Sequence, residues 1–306
     1  MKTLLTIVLA ALLTTAVSAS GGGSTKPLAG SYPIVLSHGI LGFDDTQGLM
    51  NGLVKYWGGM DDYLREQGAA VLTPGKTAMQ GLPYRAQEQK EQILVWMAAN
   101  NYSKVHIIGH SQGGLDSRYM ISNLGISNKI STLTTLNSVH RGSPVADFVL
   151  DVLPDWIEPF VGSILNEFGK LIYGGGEQDV IAMGVSLSTD TLAVFNQTTP
   201  NVSNVKYFSY GSKINVLPTI IQHPIMFVLY PITWAGGVFN GQGGDNDGVV
   251  PYSSQKWGTW KGGPSIPITT NGVDHLQATN FEWTGQLWYD VEGYYLKMAQ
   301  NAKANQ

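Results

Sequence analysis

Short apolar runs alternate with longer stretches of helical periodicity through the first half of the chain. The apolar runs have the length of buried strands and lie at residues 33–37, 69–72, 104–109 and 130–136. The stretches between them predict helices at residues 56–67, 84–100 and 115–124. This alternation predicts an α/β fold, with a mostly parallel central sheet and helices on both of its faces.

The pattern changes after residue 144. Residues 146–173 carry large apolar side chains at helical spacing, and two prolines and a glycine divide them into two predicted short helices. A second apolar stretch, residues 214–234, contains three prolines, which argue against one continuous helix. Residues 205–210 predict a strand, and residues 282–304 predict a closing helix. We expect one domain over residues 32–306.

The first residues have the pattern of an export signal. Lys2 precedes a short apolar stretch, and the small residues Val17, Ser18 and Ala19 form a site that a signal peptidase could cleave. The apolar stretch is shorter than the roughly 20 residues that a membrane span needs. We therefore predict a signal peptide at residues 1–19, a flexible lead-in at residues 20–31, no transmembrane segment, and an extracellular, secreted protein.

Composition excludes several classes of function. The chain has no cysteine, which excludes a thiol nucleophile, a disulfide framework and a cysteine-ligated metal site. Charged residues make up only 13% of the sequence, the net charge is −4, and the basic residues form no cluster. Since binding to phosphate backbones needs concentrated lysine and arginine, we expect no nucleic-acid partner.

The sharpest chemical signal is the G-x-S-x-G motif Gly109-His110-Ser111-Gln112-Gly113. It follows a predicted strand and precedes a predicted helix, which is the setting of a nucleophile elbow. The glycines allow a tight turn that exposes the serine hydroxyl. The motif therefore predicts Ser111 as the nucleophile of a serine hydrolase.

A serine nucleophile needs a general base and an acid that orients it. The histidines that follow Ser111 in the sequence are His140, His223 and His275. In the α/β-hydrolase order the acid precedes the base, and the base lies on a loop near the end of the domain. His275 occupies such a loop, just before the last predicted helix, and is our choice of base.

The acid is less well defined by spacing. Asp245 and Asp247 lie in one polar loop, either could reach His275, and Asp190 is a more distant candidate. Spacing leaves Asp245 and Asp247 open as alternatives.

Acyl transfer also needs N–H donors for the developing oxyanion. The backbone of Gln112, the residue after the nucleophile, is the first predicted donor. The second is the N–H of Ile40, in the loop after the first strand, where Gly39 allows close approach of the backbone. We interpret the neighbouring His38 as structural.

Several of these segments resemble the secreted true lipases of the Pseudomonas and Proteus type, a family of α/β-hydrolases. The resemblance is carried by residues 37–44, the G-x-S-x-G motif, residues 140–143 with 146–148, and residues 246–250. It implies a lid insertion at about residues 144–175 and these roles: a catalytic triad of Ser111, Asp247 and His275, with an oxyanion hole from Ile40 and Gln112. The resemblance thus favours Asp247 over Asp245.

The chain departs from that family at the calcium site. Members commonly bind a calcium ion that braces the histidine loop, with ligands two and six residues after the histidine. Those positions are Gln277 and Phe281 here, whereas calcium prefers carboxylate and carbonyl oxygens. We therefore expect no required cofactor and assign no metal ligands, and the sequence leaves calcium open as a disfavoured alternative.

Taken together, these observations predict a monomeric lipase that hydrolyses acylglycerol esters at an oil–water interface. A carboxylesterase or polyester hydrolase is the alternative among enzymes. A non-catalytic lipid-binding protein is the alternative from another class.

Overall fold

The computed structural model describes residues 26–44, 54–152, 178–266 and 271–306. The predicted signal peptide, the first part of the lead-in and most of the predicted lid lie outside these residues. Within the described ranges, no helix is both long and apolar enough to cross a membrane.

The core of the fold is a parallel β-sheet. Its strands are β1 (Ile34–Ser37), β2 (Val71–Leu72), β3 (Val105–His110), β4 (Ile130–Leu136), β5 (Lys206–Tyr210) and β6 (Thr259–Trp260). They lie in the order β2-β1-β3-β4-β5-β6, and every pairing between them is parallel. The predicted α/β class is confirmed. The two-residue strand β6 was not predicted, because so short a run carries no periodicity.

The described helices are α1 (Met60–Glu66), α2 (Leu82–Asn100), α3 (Gln112–Asn123), α4 (Pro144–Val152), α5 (Val180–Leu187), α6 (Thr189–Thr198), α7 (Met226–Phe239) and α8 (Val291–Lys303). Helix α3 begins three residues earlier than its apolar pattern predicts. Helix α7 passes through Pro231, so this proline does not divide the apolar stretch as predicted. Short 3-10 turns occupy much of residues 277–287, where a continuous closing helix was partly expected.

Side chains alternate across the sheet and build a core on each face. Ile34 and Leu36 of β1 face a cluster that includes residues of α1 and α8. Val35, between them, faces the opposite cluster, which includes residues of α2 and α3. Because helices cover both faces, polar side chains gather where the strands end, at the carboxyl edge of the sheet.

Candidate active site

Ser111 occupies a strained turn at the carboxyl end of the central strand β3. It lies between the last residue of β3 and the first residue of α3, with φ 55° and ψ −129°. A non-glycine residue in this region costs on the order of 1–3 kcal/mol, so the surrounding structure must hold it there. Strain of this kind is the signature of a nucleophile elbow.

The two glycines of the motif are needed for close packing around this turn. A Cβ atom on Gly109 would lie 2.8 Å from the Cα of Gly114, in the first turn of α3. A Cβ atom on Gly113 would lie 2.1 Å from the carbonyl oxygen of Ser37, at the end of β1. Side chains at either position would force the helix away from the sheet and move Ser111.

The loop after β1 lies directly against Ser111. A Cβ atom on Gly39 would lie 2.7 Å from the Cβ and 3.2 Å from the Oγ of Ser111. This contact places the Gly39–Ile40 backbone beside the hydroxyl, while Gln112 begins the helix on the other side. The N-terminus of a helix carries a partial positive charge, which favours an oxyanion at this point.

A buried ionic cluster holds the carbonyl groups of this loop. The Nζ of Lys76 donates to the His38 carbonyl at 2.8 Å, and the guanidinium of Arg85 donates to the carbonyls of His38 and Gly39. Both cations contact the same Oδ2 atom of Asp116, at 2.8 and 3.0 Å. These hydrogen bonds to its carbonyl groups fix the orientation of the loop, and with it the N–H of Ile40.

Burial shifts the pKa of Lys76 in this cluster. Desolvation, together with the nearby Arg85, lowers the pKa of Lys76 to about 7 against the opposing effect of Asp116. Sequence reasoning did not find these residues. A buried lysine or arginine has no periodic signature that separates it from the surface residues of the same type.

His38 is a neutral structural side chain, as interpreted from the sequence. Its Nε2 accepts from the Lys76 N–H at 3.0 Å, so the proton lies on Nδ1, which donates to the Gly39 carbonyl at 2.8 Å. Desolvation and the charges of Lys76 and Arg85 lower its pKa well below the ordinary value. Its ring also fills the space beside Gly42, where a Cβ atom would collide with it.

Asp247 and His275 form a buried pair at the same edge of the sheet. The Nδ1 atom of His275 lies 2.8 Å from Oδ2 of Asp247, and the His275 N–H donates to the Asp247 carbonyl. Asn137 and Gln255 donate to the same Oδ2, and two backbone N–H groups donate to Oδ1. An ionised carboxylate is purely an acceptor, and this environment satisfies it fully.

The structure also brings His275 next to the segment that carries Ser111. Its ring centroid lies 4.5 Å from that of His110, the residue that precedes Ser111. Asn137 and Gln255 were not identified from the sequence, because amides that support a carboxylate lie in unrelated segments with no shared motif.

The alternative acids lie elsewhere. The carboxylate of Asp245 pairs with Lys213 at 2.6 Å and is largely exposed. Asp190 lies in the exposed first turn of α6. Neither position has a described contact with His275.

The alternative bases also have other partners. His140 is buried, accepts from Arg118 on Nδ1, and therefore donates from Nε2 to the Thr135 hydroxyl. Desolvation, reinforced by Arg118, lowers the pKa of His140 well below its ordinary value. The backbone N–H of His223 donates to Asp274. These contacts support structural roles for both histidines.

Hydrogen bonds brace the loop that carries His275. Asp274 accepts from the N–H groups of His223, Leu276 and Gln277. The side chain of Gln277 accepts from the Asp274 N–H at 3.0 Å and donates to the carbonyl of Ile221. Gln277 thus links two segments directly, at one of the positions where the resembled family places a calcium ligand.

The two positions that hold calcium ligands in the resembled family are Gln277 and Phe281 here, and neither carries a carboxylate. Among the residues that the structure describes, no cluster of three or more His, Asp or Glu side chains could hold a metal ion. The carboxylate of Asp274 accepts hydrogen bonds from backbone donors, and the side chain of Phe281 has no oxygen ligand.

Comparison with known proteins agrees with this architecture. A sequence model of the palmitoyl protein thioesterase family matches residues 33–173. Triacylglycerol lipase 2 of Saccharomyces cerevisiae is 30% identical over 79% of this chain and 67% of its own length. A triacylglycerol lipase of Burkholderia plantarii is 33% identical over 63% of this chain, which spans only 54% of that protein.

A solved structure shows the same fold. A metagenomic carboxyl esterase superposes with a TM-score of 0.67 at 15% identity, over 90% of this chain and 76% of that one. Given the parallel sheet, the elbow at Ser111 and the relationship to the yeast protein, the chain belongs to the lipase family and is an ester hydrolase with the α/β-hydrolase fold.

Proposed function

We propose that this protein is a secreted lipase that cleaves acylglycerol esters through a Ser-His-Asp acyl-enzyme mechanism. The observation that carries the proposal is the strained Ser111 at the end of β3, together with the buried pair of Asp247 and His275, whose imidazole packs against His110, the residue before Ser111. This arrangement supports the roles that we propose: Ser111 as nucleophile, His275 as base and Asp247 as the acid that orients the base.

In the proposed reaction, the Oγ of Ser111 attacks the ester carbonyl while Nε2 of His275 takes the hydroxyl proton. Asp247 holds the imidazole through Nδ1 and stabilises its charged form. The N–H groups of Ile40 and Gln112 bind the oxyanion of the tetrahedral intermediate. His275 then gives the proton to the leaving alcohol, and a water activated by the same base releases the fatty acid from Ser111.

An exposed apolar surface supports a lipid substrate. Helices α4 and α7 pack together and leave large apolar side chains in solvent: Phe148, Val149, Phe227, Val228, Trp234 and Phe239. Clustered exposed apolar area is unfavourable in water and favours contact with an oil phase. The lipase names of the yeast and Burkholderia relatives point to the same substrate class.

Two further properties belong to the proposal. The N-terminal sequence favours export, so the enzyme acts outside the cell. The hydrogen bonds of Gln277 and Asp274 stabilise the loop that carries His275 in place of an ion, so activity does not depend on calcium.

The alternatives are a carboxylesterase or polyester hydrolase with the same triad, and a non-catalytic lipid-binding protein. The observation in favour of the first alternative is that a carboxyl esterase has the same fold. The intact Ser111, His275 and Asp247 set argues against the second.

Hydrolysis of an emulsified long-chain triacylglycerol and of a soluble short-chain ester, measured side by side with and without a chelator, tests the proposal. We expect turnover of the emulsion, no loss of activity with the chelator, and no activity for Ser111→Ala on either substrate. Turnover of the short ester alone would reassign the enzyme as an esterase. Loss of activity on chelation would refute calcium independence.

A further inference from the structure

Tyr56 and His110 form a chain of hydrogen bonds beneath the candidate active site. The N–H of Gly39 donates to the hydroxyl oxygen of Tyr56 at 2.9 Å. That oxygen lies 2.7 Å from Nδ1 of His110, and Nε2 of His110 lies 3.1 Å from the carbonyl oxygen of His275. Both side chains are buried.

The chemistry of the end groups fixes the position of each proton. The His275 carbonyl only accepts, so Nε2 of His110 carries a hydrogen. A neutral ring then has a free lone pair on Nδ1, which accepts the hydroxyl proton of Tyr56. The Tyr56 oxygen in turn accepts from the Gly39 N–H. Every group in this chain has a partner of the correct type.

The surroundings keep the His110 ring neutral. Desolvation by burial is the main cause that lowers its pKa well below the ordinary value, and the nearby His275 acts in the same direction. The rings of Tyr56, Trp57 and His275 pack around it. A second positive charge therefore does not arise next to His275 when that base becomes protonated in the reaction.

The chain of hydrogen bonds joins three separate segments of the site. Gly39 belongs to the loop that offers the Ile40 N–H, His110 immediately precedes Ser111, and His275 is the base. These segments come from the ends of β1 and β3 and from a loop more than 160 residues after His110, as the 165-residue separation of His110 and His275 shows. Tyr56 and His110 are the side chains that bridge them.

We infer that Tyr56 and His110 are positioning residues. They hold the loop of Gly39 and Ile40, the turn at Ser111 and the loop of His275 in fixed positions relative to one another. The inference rests on the proposed serine hydrolase function. It assigns neither residue a contact with the reacting atoms. Small displacements of groups that act together in a transition state reduce the rate, while substrate binding in the ground state is affected less.

Tyr56→Phe tests this inference, because it removes only the hydroxyl oxygen and leaves the ring in place. We expect kcat for a soluble ester to fall by about 10-fold, with KM changed less than about twofold. The inhibition constant of a phenylboronic acid should rise by about the same factor as kcat/KM falls. A boronate bound to Ser111 places a negative oxygen in the oxyanion site and so reports the same geometry without turnover.

Tyr207→Phe is the control, because it removes a part-buried tyrosine hydroxyl on β5 that accepts from the Val202 N–H and has no described contact with Ser111, Asp247 or His275. It should change the melting temperature by an amount similar to that of Tyr56→Phe and leave kcat and boronate affinity unchanged. His110→Asn is a second variant on the chain. Asparagine retains an acceptor for Tyr56 but does not reach the His275 carbonyl, so kcat should fall here also.

Unchanged kcat and boronate affinity in Tyr56→Phe and His110→Asn would overturn the inference. Equal losses of kcat in Tyr56→Phe and Tyr207→Phe would do the same, because they would reveal a general effect on stability. Failure of the proposed function is distinguishable from these results: the unmodified protein would then show neither ester hydrolysis nor boronate binding.

Discussion

Spacing in the sequence does not distinguish Asp245 from Asp247, but their surroundings in the structure do. Asp247 is fully buried, accepts from Asn137 and Gln255, and contacts His275. Asp245 is exposed and pairs with Lys213. An exposed ion pair of this kind contributes little, about 0–1 kcal/mol. The roles of the two carboxylates should therefore differ sharply.

We predict that Asp247→Asn lowers kcat by about 10²- to 10⁴-fold, because an amide at this position does not stabilise the charged imidazole. Asp245→Asn, the same chemical change two residues away, should leave kcat within about twofold. Steady-state kinetics on a soluble ester measures both. A comparable loss in the two variants would contradict the assignment.

The sequence identifies some residues of the candidate site and not others, and the difference has a physical cause. Ser111, Asp247 and His275 lie in local patterns that a motif or a resemblance exposes. Asn137 and Gln255 support Asp247 through tertiary contacts that no local pattern encodes. The ion pairs of Lys76 and Arg85 with Asp116 are equally invisible, because charged residues are ordinarily interpreted as surface residues.

At the scale of elements, the contact between α3 and β1 determines where Ser111 lies. Gly113, in the first turn of α3, approaches the carbonyl of Ser37 so closely that no side chain fits. The loop of Gly39 and Ile40, which follows Ser37, also lies against Ser111. Gly113 therefore contributes both to the stability of the fold and to the geometry of the site.

We predict that Gly113→Ala lowers the free energy of unfolding by about 2 kcal/mol or more, because the added methyl group must displace β1 or α3. Ester hydrolysis should fall with it. Gly184→Ala is the control, since a Cβ atom there would make only ordinary contact with Leu150, and alanine stabilises a helix interior by about 0.5–1 kcal/mol. Urea unfolding compares the variants, and equal stabilities would refute this account.

Elements with strong periodicity were predicted well, and those governed by tertiary context were not. Strand β4 has the predicted bounds, whereas α3 starts earlier because two glycines at its N-terminus hide the helical pattern. Helix α7 continues through Pro231 against the local preference of proline. Helices α5 and α6 were not predicted, because they follow the apolar stretch without a clear pattern of their own.

At the scale of the whole molecule, the most distinctive electrostatic feature is a set of neutral buried histidines. Desolvation lowers the pKa of each below its ordinary value, to about 4 for His106, and the others are His38, His110 and His140. In the unfolded chain these groups take up protons near pH 6.5. Below that pH the unfolded state binds more protons than the folded state, so stability falls as pH falls.

We predict a steep loss of stability between about pH 6.5 and pH 4, with each neutral histidine contributing up to about 1.4 kcal/mol per pH unit. His106→Asn should reduce the slope by about that amount, because it removes one such group from the core. Urea midpoints at several pH values measure the slope. An unchanged slope in the variant would show that His106 is protonated in the folded protein.

The central claim is that Ser111 is an activated nucleophile, and covalent labelling with a fluorophosphonate tests it most directly. Mass mapping of the labelled protein should show a single adduct on Ser111, no adduct in Ser111→Ala, and much slower labelling in Asp247→Asn. An adduct on another residue, or ester hydrolysis that survives in Ser111→Ala, would contradict the account.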